Sequence, residues 1–114
     1  KTEELSKQLI TLNETLEENL ELSKAKPSFE NTVIWVFSDK VDSQEVQLAW
    51  QMLYLFPDEY GINLCYRDYV LKNFDNLKSR YIATIPGGEI DKLLKEKGAD
   101  VMAENETIKI YKKY

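Results

Sequence analysis

The sequence predicts an α/β fold. The expected form is a small three-layer domain with a mostly parallel sheet in the order β-α-β-α-β-α-β-β, an antiparallel C-terminal edge and an extra N-terminal helix. Three observations carry that expectation. Short β-branched and aromatic runs alternate with stretches whose apolar residues recur at steps of three and four, as in strands joined by crossover helices. The strongest run, Thr32-Val33-Ile34-Trp35-Val36-Phe37, is almost continuously apolar, which suits a strand covered on both faces. Finally, 114 residues with 43% hydrophobic and 31% charged side chains make one globular domain, not a disordered or low-complexity chain.

Taken in order, residues 1–27 read as an amphipathic helical connector and residues 28–114 as the α/β domain. Leu5, Leu9, Leu12 and Leu16, with Leu20 next, form one apolar stripe on a good helix former. The stripe runs for only about three heptads, the lower limit for a coiled coil. It can pack on the domain, pair with a second copy or continue from a preceding segment. Pro27 ends it, because a proline pushes the residue before it out of helical geometry. After the 32–37 strand, Ser38-Asp39-Lys40 closes the run. A helix then follows over roughly 43–56, with Val46, Ala49, Trp50 and Leu53 as its core face. Pro57 and Gly61 mark the exit.

Ile62 to Arg67 reads as a second strand and Asp68 to Leu77 as a short helix or irregular turn, with Val70, Leu71 and Phe74 inward. Arg80 to Ile85 is a third strand, and Pro86-Gly87-Gly88 a tight turn. Glu89 to Lys97 is a helix that turns Ile90, Leu93 and Leu94 inward, with Gly98 as its left-handed stop. Two closing strands, Asp100 to Glu104 and Thr107 to Tyr111, flank a hairpin turn at Asn105-Glu106. The alternation of Ile108 and Ile110 with Lys109 and Tyr111 suggests an edge strand with one wet face, guarded by Lys109, Lys112 and Lys113.

Composition bounds the chemistry. The chain has no histidine and one cysteine, which excludes Ser-His-Asp and Cys-His devices, most metal sites and any disulfide within one copy. No catalytic residue, metal site or cofactor is expected. With 15 basic and 20 acidic residues the net charge is −5, so nucleic acid is not an expected partner. Residues 27–68 hold the acidic excess, and residues 69–114 are mildly basic. No apolar run is long enough to span a bilayer. The chain starts without Met or a signal peptide, and so reads as a piece of something longer or a processed form. Cys65, in Ile62-Asn63-Leu64-Cys65-Tyr66, reads as a small buried hydrophobe.

Two places can bind ligands. The Gly87-Gly88 turn precedes a helix, whose first N–H groups attract anions, although it matches no phosphate-loop pattern. Asp39 and Asp68 each follow a predicted parallel strand, where open α/β sheets hold ligands. With Lys40 and Arg67 they form a candidate mouth. Both places also read as ordinary turn and cap residues. Tyr54, Tyr60 and Tyr69 are the aromatics nearest the surface. Asn13-Glu14-Thr15 and Asn105-Glu106-Thr107 match the glycosylation sequon, a motif short enough to arise by chance.

The closing segment carries a resemblance. Arg80-Tyr81-Ile82-Ala83-Thr84 is followed by a helix, then Lys97-Gly98-Ala99-Asp100-Val101, then Glu104-Asn105-Glu106-Thr107-Ile108-Lys109-Ile110-Tyr111-Lys112-Lys113. Over residues 32–113 this resembles the small α/β domain at the C-terminus of polytopic bacterial glycosyltransferases of the dolichyl-phosphate-mannose mannosyltransferase-like class. In that class the catalytic carboxylates lie in the membrane portion, so the resemblance carries no catalytic residue to this chain. It implies a non-catalytic soluble domain on the extracytoplasmic face of the bacterial cell membrane. Its partner would be the membrane-embedded remainder of the same polypeptide, and its role binding or docking. Two other readings stay open. One is a free-standing cytoplasmic interaction module, a homodimer through Leu5, Leu9, Leu12 and Leu16. The other is a small anion- or cation-binding α/β domain that uses Gly87, Gly88, Asp39 and Asp68.

Overall fold

A computed structural model describes residues 2–18, 33–36, 44, 47–49, 51 and 62–113. The elements are helix α1 (Thr2–Glu18), strands β1 (Val33–Val36) and β2 (Ile62–Leu64), helix α2 (Arg67–Asn73) with a 3-10 turn at Phe74–Asn76, strand β3 (Tyr81–Thr84), helix α3 (Glu89–Glu96), and strands β4 (Asp100–Glu104) and β5 (Lys109–Lys112). Residues 44, 47–49 and 51, between β1 and β2, are also helical. The readings of Leu20, Pro27, Asp39, Lys40, Tyr54 and Tyr60 lie outside the described residues.

Helices accompany a mixed five-stranded sheet in the order β2-β1-β3-β5-β4. β1 lies between β2 and β3 and is parallel to both, with Val33 opposite Ile62 on one side and Tyr81 on the other. The three stretches expected to run side by side do so. β5 is antiparallel to both β3 and β4, so the antiparallel part is half of the pairings and not a fringe.

The position of β5 corrects one expectation. The last strand is interior, and β4 is the edge. Lys109 and Tyr111, read as a wet face, are buried. The exposed side chains belong to β4 instead, where Val101 is 48% exposed. The pairing of β4 with β5 is irregular between Val101 and Ala103, a break that discourages an added strand. Alternation alone cannot tell an interior strand from an edge when its polar face finds partners, and Lys109 finds one in α3.

The sheet is buried from both sides by alternate side chains. Val33, Trp35, Tyr81, Ala83, Ile108 and Ile110 share one apolar cluster with Leu5, Leu9, Leu12, Leu16 and Ala49. Ile34, Val36, Ile82 and Tyr111 share the other with Val70, Phe74, Ile90 and Leu94. This two-sided cover explains why β1 lacks polar alternation. Of the options open to the four-leucine stripe, packing on the domain is the one seen: the chain's own sheet covers it. The stripe is not wholly apolar: buried Gln8 accepts a hydrogen bond from Trp35 Nε1 at 3.1 Å, which gives the indole N–H its partner. Leu71, expected inward, points out, because the seven-residue α2 buries only Val70.

Two turns fix the C-terminal half. α3 ends in a Schellman arrangement: Ala99 N–H donates to Leu94 O at 3.0 Å and Gly98 N–H to Lys95 O at 3.1 Å, with Gly98 at φ +75. The β4–β5 turn works without glycine. Asn105 Oδ1 accepts from the Thr107 N–H at 2.8 Å and the Ile108 N–H at 2.9 Å, so a side-chain carbonyl closes the turn.

Candidate functional site

Of the predicted site residues, Asp68, Gly87 and Gly88 lie where α2 and α3 begin, past the carboxyl ends of β2 and β3. Arg67 opens α2 and sits against its neighbour Asp68, with Nη2 3.0 Å from Asp68 Oδ1. Its Nη1 reaches Glu89 Oε1 at 3.5 Å, at the start of α3. One guanidinium therefore brings Asp68 towards the Gly87-Gly88 turn. Asp68 is exposed and already has a cation beside it. Asp39, the other half of the predicted mouth, lies outside the described residues.

The glycine turn already holds a carboxylate, and it is the chain's own. Gly87 adopts φ +80, as the third residue of a Pro-Gly type II turn must. Its N–H donates to Asp91 Oδ2 at 2.8 Å. Asp91 stands at the third position of α3 and reaches back over the helix start, as a capping-box acid does. The donors and the helix dipole favour an anion there, and a residue four positions on supplies it.

Asp91 is the centre of a buried polar cluster. It is 2% exposed and Lys109 4%, and they are the two buried charged side chains among the described residues. Lys109 Nζ lies 3.2 Å from Asp91 Oδ1. The fully buried Tyr111 hydroxyl donates to the same oxygen. Lys109 Nζ also sits 5.0 Å from the Tyr111 ring centre and 3.8 Å from Glu104 Oε2. Lys95, one turn along α3, approaches Asp91 Oδ2 at 4.0 Å. Thr84, paired with Lys109 across β3 and β5, places a buried hydroxyl without a hydrogen-bond partner beside the cluster.

The electrostatics follow from this geometry. Burial pushes the Asp91 pKa up, but the Tyr111 hydroxyl, the Gly87 N–H and the Lys109 ammonium together outweigh it and hold the carboxyl below its ordinary value. Lys109 is raised above the ordinary lysine value by its contacts with Tyr111 and Asp91, against the cost of burial. Tyr111 is raised by burial and by its bond to Asp91. Each group is thus driven deeper into its ordinary protonation state at neutral pH. That is the reverse of what an acid or base poised to move a proton needs.

Sequence reasoning missed this cluster. Its signals were present in Asp91, three positions after a glycine cap, and in a lysine between two isoleucines on a strand ending in Tyr. Cys65 is half-buried, and burial raises its thiol pKa, so it has no thiolate character. Asn13 Nδ2 donates to Leu9 O inside α1, and Asn105 closes its turn, so both sequon asparagines have structural roles. Among the described residues, no group of three or more Cys, Asp or Glu is placed to hold a metal ion. No helix among them is long and apolar enough to cross a membrane.

A cleft opens among the described residues. It lies past the carboxyl end of β3, on the α1 side of the sheet, with a volume of about 300 Å³. Lys7 and Gln8 of α1, Ile85 and Pro86 after β3, and Glu106 and Thr107 of the β4–β5 turn line it. A second hollow of about 310 Å³, beside Leu64, Cys65, Tyr66 and Tyr69, is shallower and less polar.

No protein-family model, no curated protein and no solved structure matches this chain.

Proposed function

We propose that this chain is a non-catalytic domain that binds or docks on behalf of a larger membrane protein, outside the cytoplasm. One observation carries the non-catalytic part. The two buried charged side chains among the described residues, Asp91 and Lys109, neutralise each other inside a closed cluster with Tyr111. Nothing in that cluster is left over to attack a substrate or to move its proton. The membrane protein, a glycosyltransferase of the class named above, is proposed from the Arg80–Lys113 resemblance. The same reading takes the sheet as the middle of three layers. The division of its side chains between two apolar clusters supports this.

The coding sequence upstream of residue 1 tests the proposal. It should encode several apolar segments of about 20 residues, each able to span a bilayer. An upstream region without one would remove the membrane protein from the account. Turnover of a lipid-linked sugar by the isolated 114-residue chain would remove the non-catalytic role.

A further inference from the structure

We infer that Asn105 is a modification site, an acceptor for an N-linked saccharide transferred to its side-chain nitrogen from a sugar diphosphate. The motif Asn-Glu-Thr stands twice in the chain, at residues 13–15 and 105–107, and the fold treats the two copies oppositely. Asn13 lies within α1, where its Nδ2 donates to Leu9 O at 2.9 Å. The Thr15 hydroxyl donates to Thr11 O at 2.7 Å. The two groups that mark such a site are the amide nitrogen and the hydroxyl two residues on. In the first copy a regular helix engages both.

The second copy is the reverse. Asn105 is exposed at the turn between β4 and β5, and its backbone N–H donates to Ile108 O at 3.0 Å. The backbone N–H groups of Thr107, at 2.8 Å, and Ile108, at 2.9 Å, both donate to one atom of its side chain. Only the oxygen of a carboxamide accepts, so that atom is Oδ1. Asn105 thus closes its turn through the oxygen alone, and its nitrogen donates to none of the described residues. The half-exposed Thr107 has no hydrogen bond from its hydroxyl to a described residue either.

The turn also favours the chemistry. An amide nitrogen is a poor nucleophile because its lone pair is shared with the carbonyl. Loss of a proton frees it, and the charge so formed rests on Oδ1. Two N–H donors already converge on that oxygen, and hydrogen bonds to a charged form favour it. In the transfer, Nδ2 attacks the anomeric carbon of the sugar. The carbon–nitrogen bond forms and the bond from that carbon to the diphosphate oxygen breaks. The electron pair leaves with the diphosphate, and the Nδ2 proton passes to a base of the transferase. The saccharide then stands beside β4, the edge of the sheet, where its bulk hinders an added strand.

This inference goes beyond the binding-domain reading and does not rest on it. The test uses the folded 114-residue chain, UDP-glucose and a soluble asparagine N-glucosyltransferase chosen for its activity on the free peptide 102–109. Peptide mass mapping should place a hexose on Asn105 and none on Asn13. Asn105→Asp keeps an oxygen to close the turn and removes the nitrogen, so labelling should fall to background. Thr107→Ala should also abolish it, and Thr107→Ser should restore it. Asn13→Gln should leave it unchanged. A folded chain without a hexose on Asn105 would overturn the inference. So would equal labelling of Asn13 and Asn105, because the acceptor would then be set by the motif and not by the turn.

Discussion

Asp91 is the residue on which the buried polar cluster turns. A buried carboxylate either sits unpaired, with a raised pKa and chemistry to do, or is paired and structural. Three donors converge on Asp91, so it is structural. The sign of its effect on stability follows. Its folded pKa lies below the unfolded one, so its contribution is complete above the ordinary carboxylate range and is lost as pH falls through the folded value. Asp91→Asn should therefore flatten the acid side of the stability profile, measured as urea midpoints between pH 7 and pH 3. A variant that loses stability in acid as steeply as the parent would refute the pairing. Tyr111→Phe keeps the ring but removes the hydroxyl from a charged acceptor. It should cost about 1.5–3 kcal/mol by the same urea measurement. Gly98 makes a simpler case. At φ +75 an alanine has space but the wrong backbone preference, so Gly98→Ala should cost about 1 kcal/mol in thermal unfolding.

Among the elements, α1 takes the first of the three options its sequence leaves open, packing on the domain. Its stripe Leu5, Leu9, Leu12 and Leu16 shares a core with β1, β3 and β5. Leu12→Ala should then cost about 2–5 kcal/mol, the range for a leucine removed from a packed interior. An unchanged unfolding midpoint would mean that the helix is a detached tether. The helix itself was legible, because its apolar period is unbroken, but its target was not. A stripe has the same spacing whether it meets a sheet, a second copy or another helix. β5 shows the same limit. Its existence was clear from Ile108 and Ile110, yet its interior place depended on Asp91, eighteen positions earlier and on a different element. Local pattern fixes an element's period. What its polar face meets is a property of the tertiary structure.

For the whole molecule, the parallel core of β2, β1 and β3 was readable from continuous apolar runs separated by helical stretches. The turn at Pro86-Gly87-Gly88 and the stop at Gly98 were readable because only glycine takes those backbone angles without strain. Less of the site was readable. Gly87 was singled out for an anion, and the anion proved to be Asp91. Asp68 proved to be a surface partner of Arg67. The open cleft was not legible at all, since it joins α1, the end of β3 and the last turn, segments separated by most of the chain. The central claim is that the buried charges hold the fold together and leave recognition to the surface. The most direct measurement of it is the NMR titration of the Asp91 carboxyl carbon against pH. The account predicts a midpoint below the ordinary aspartate value of about 3.9. A midpoint above it would mean that burial outweighs the three donors, and would contradict the pairing.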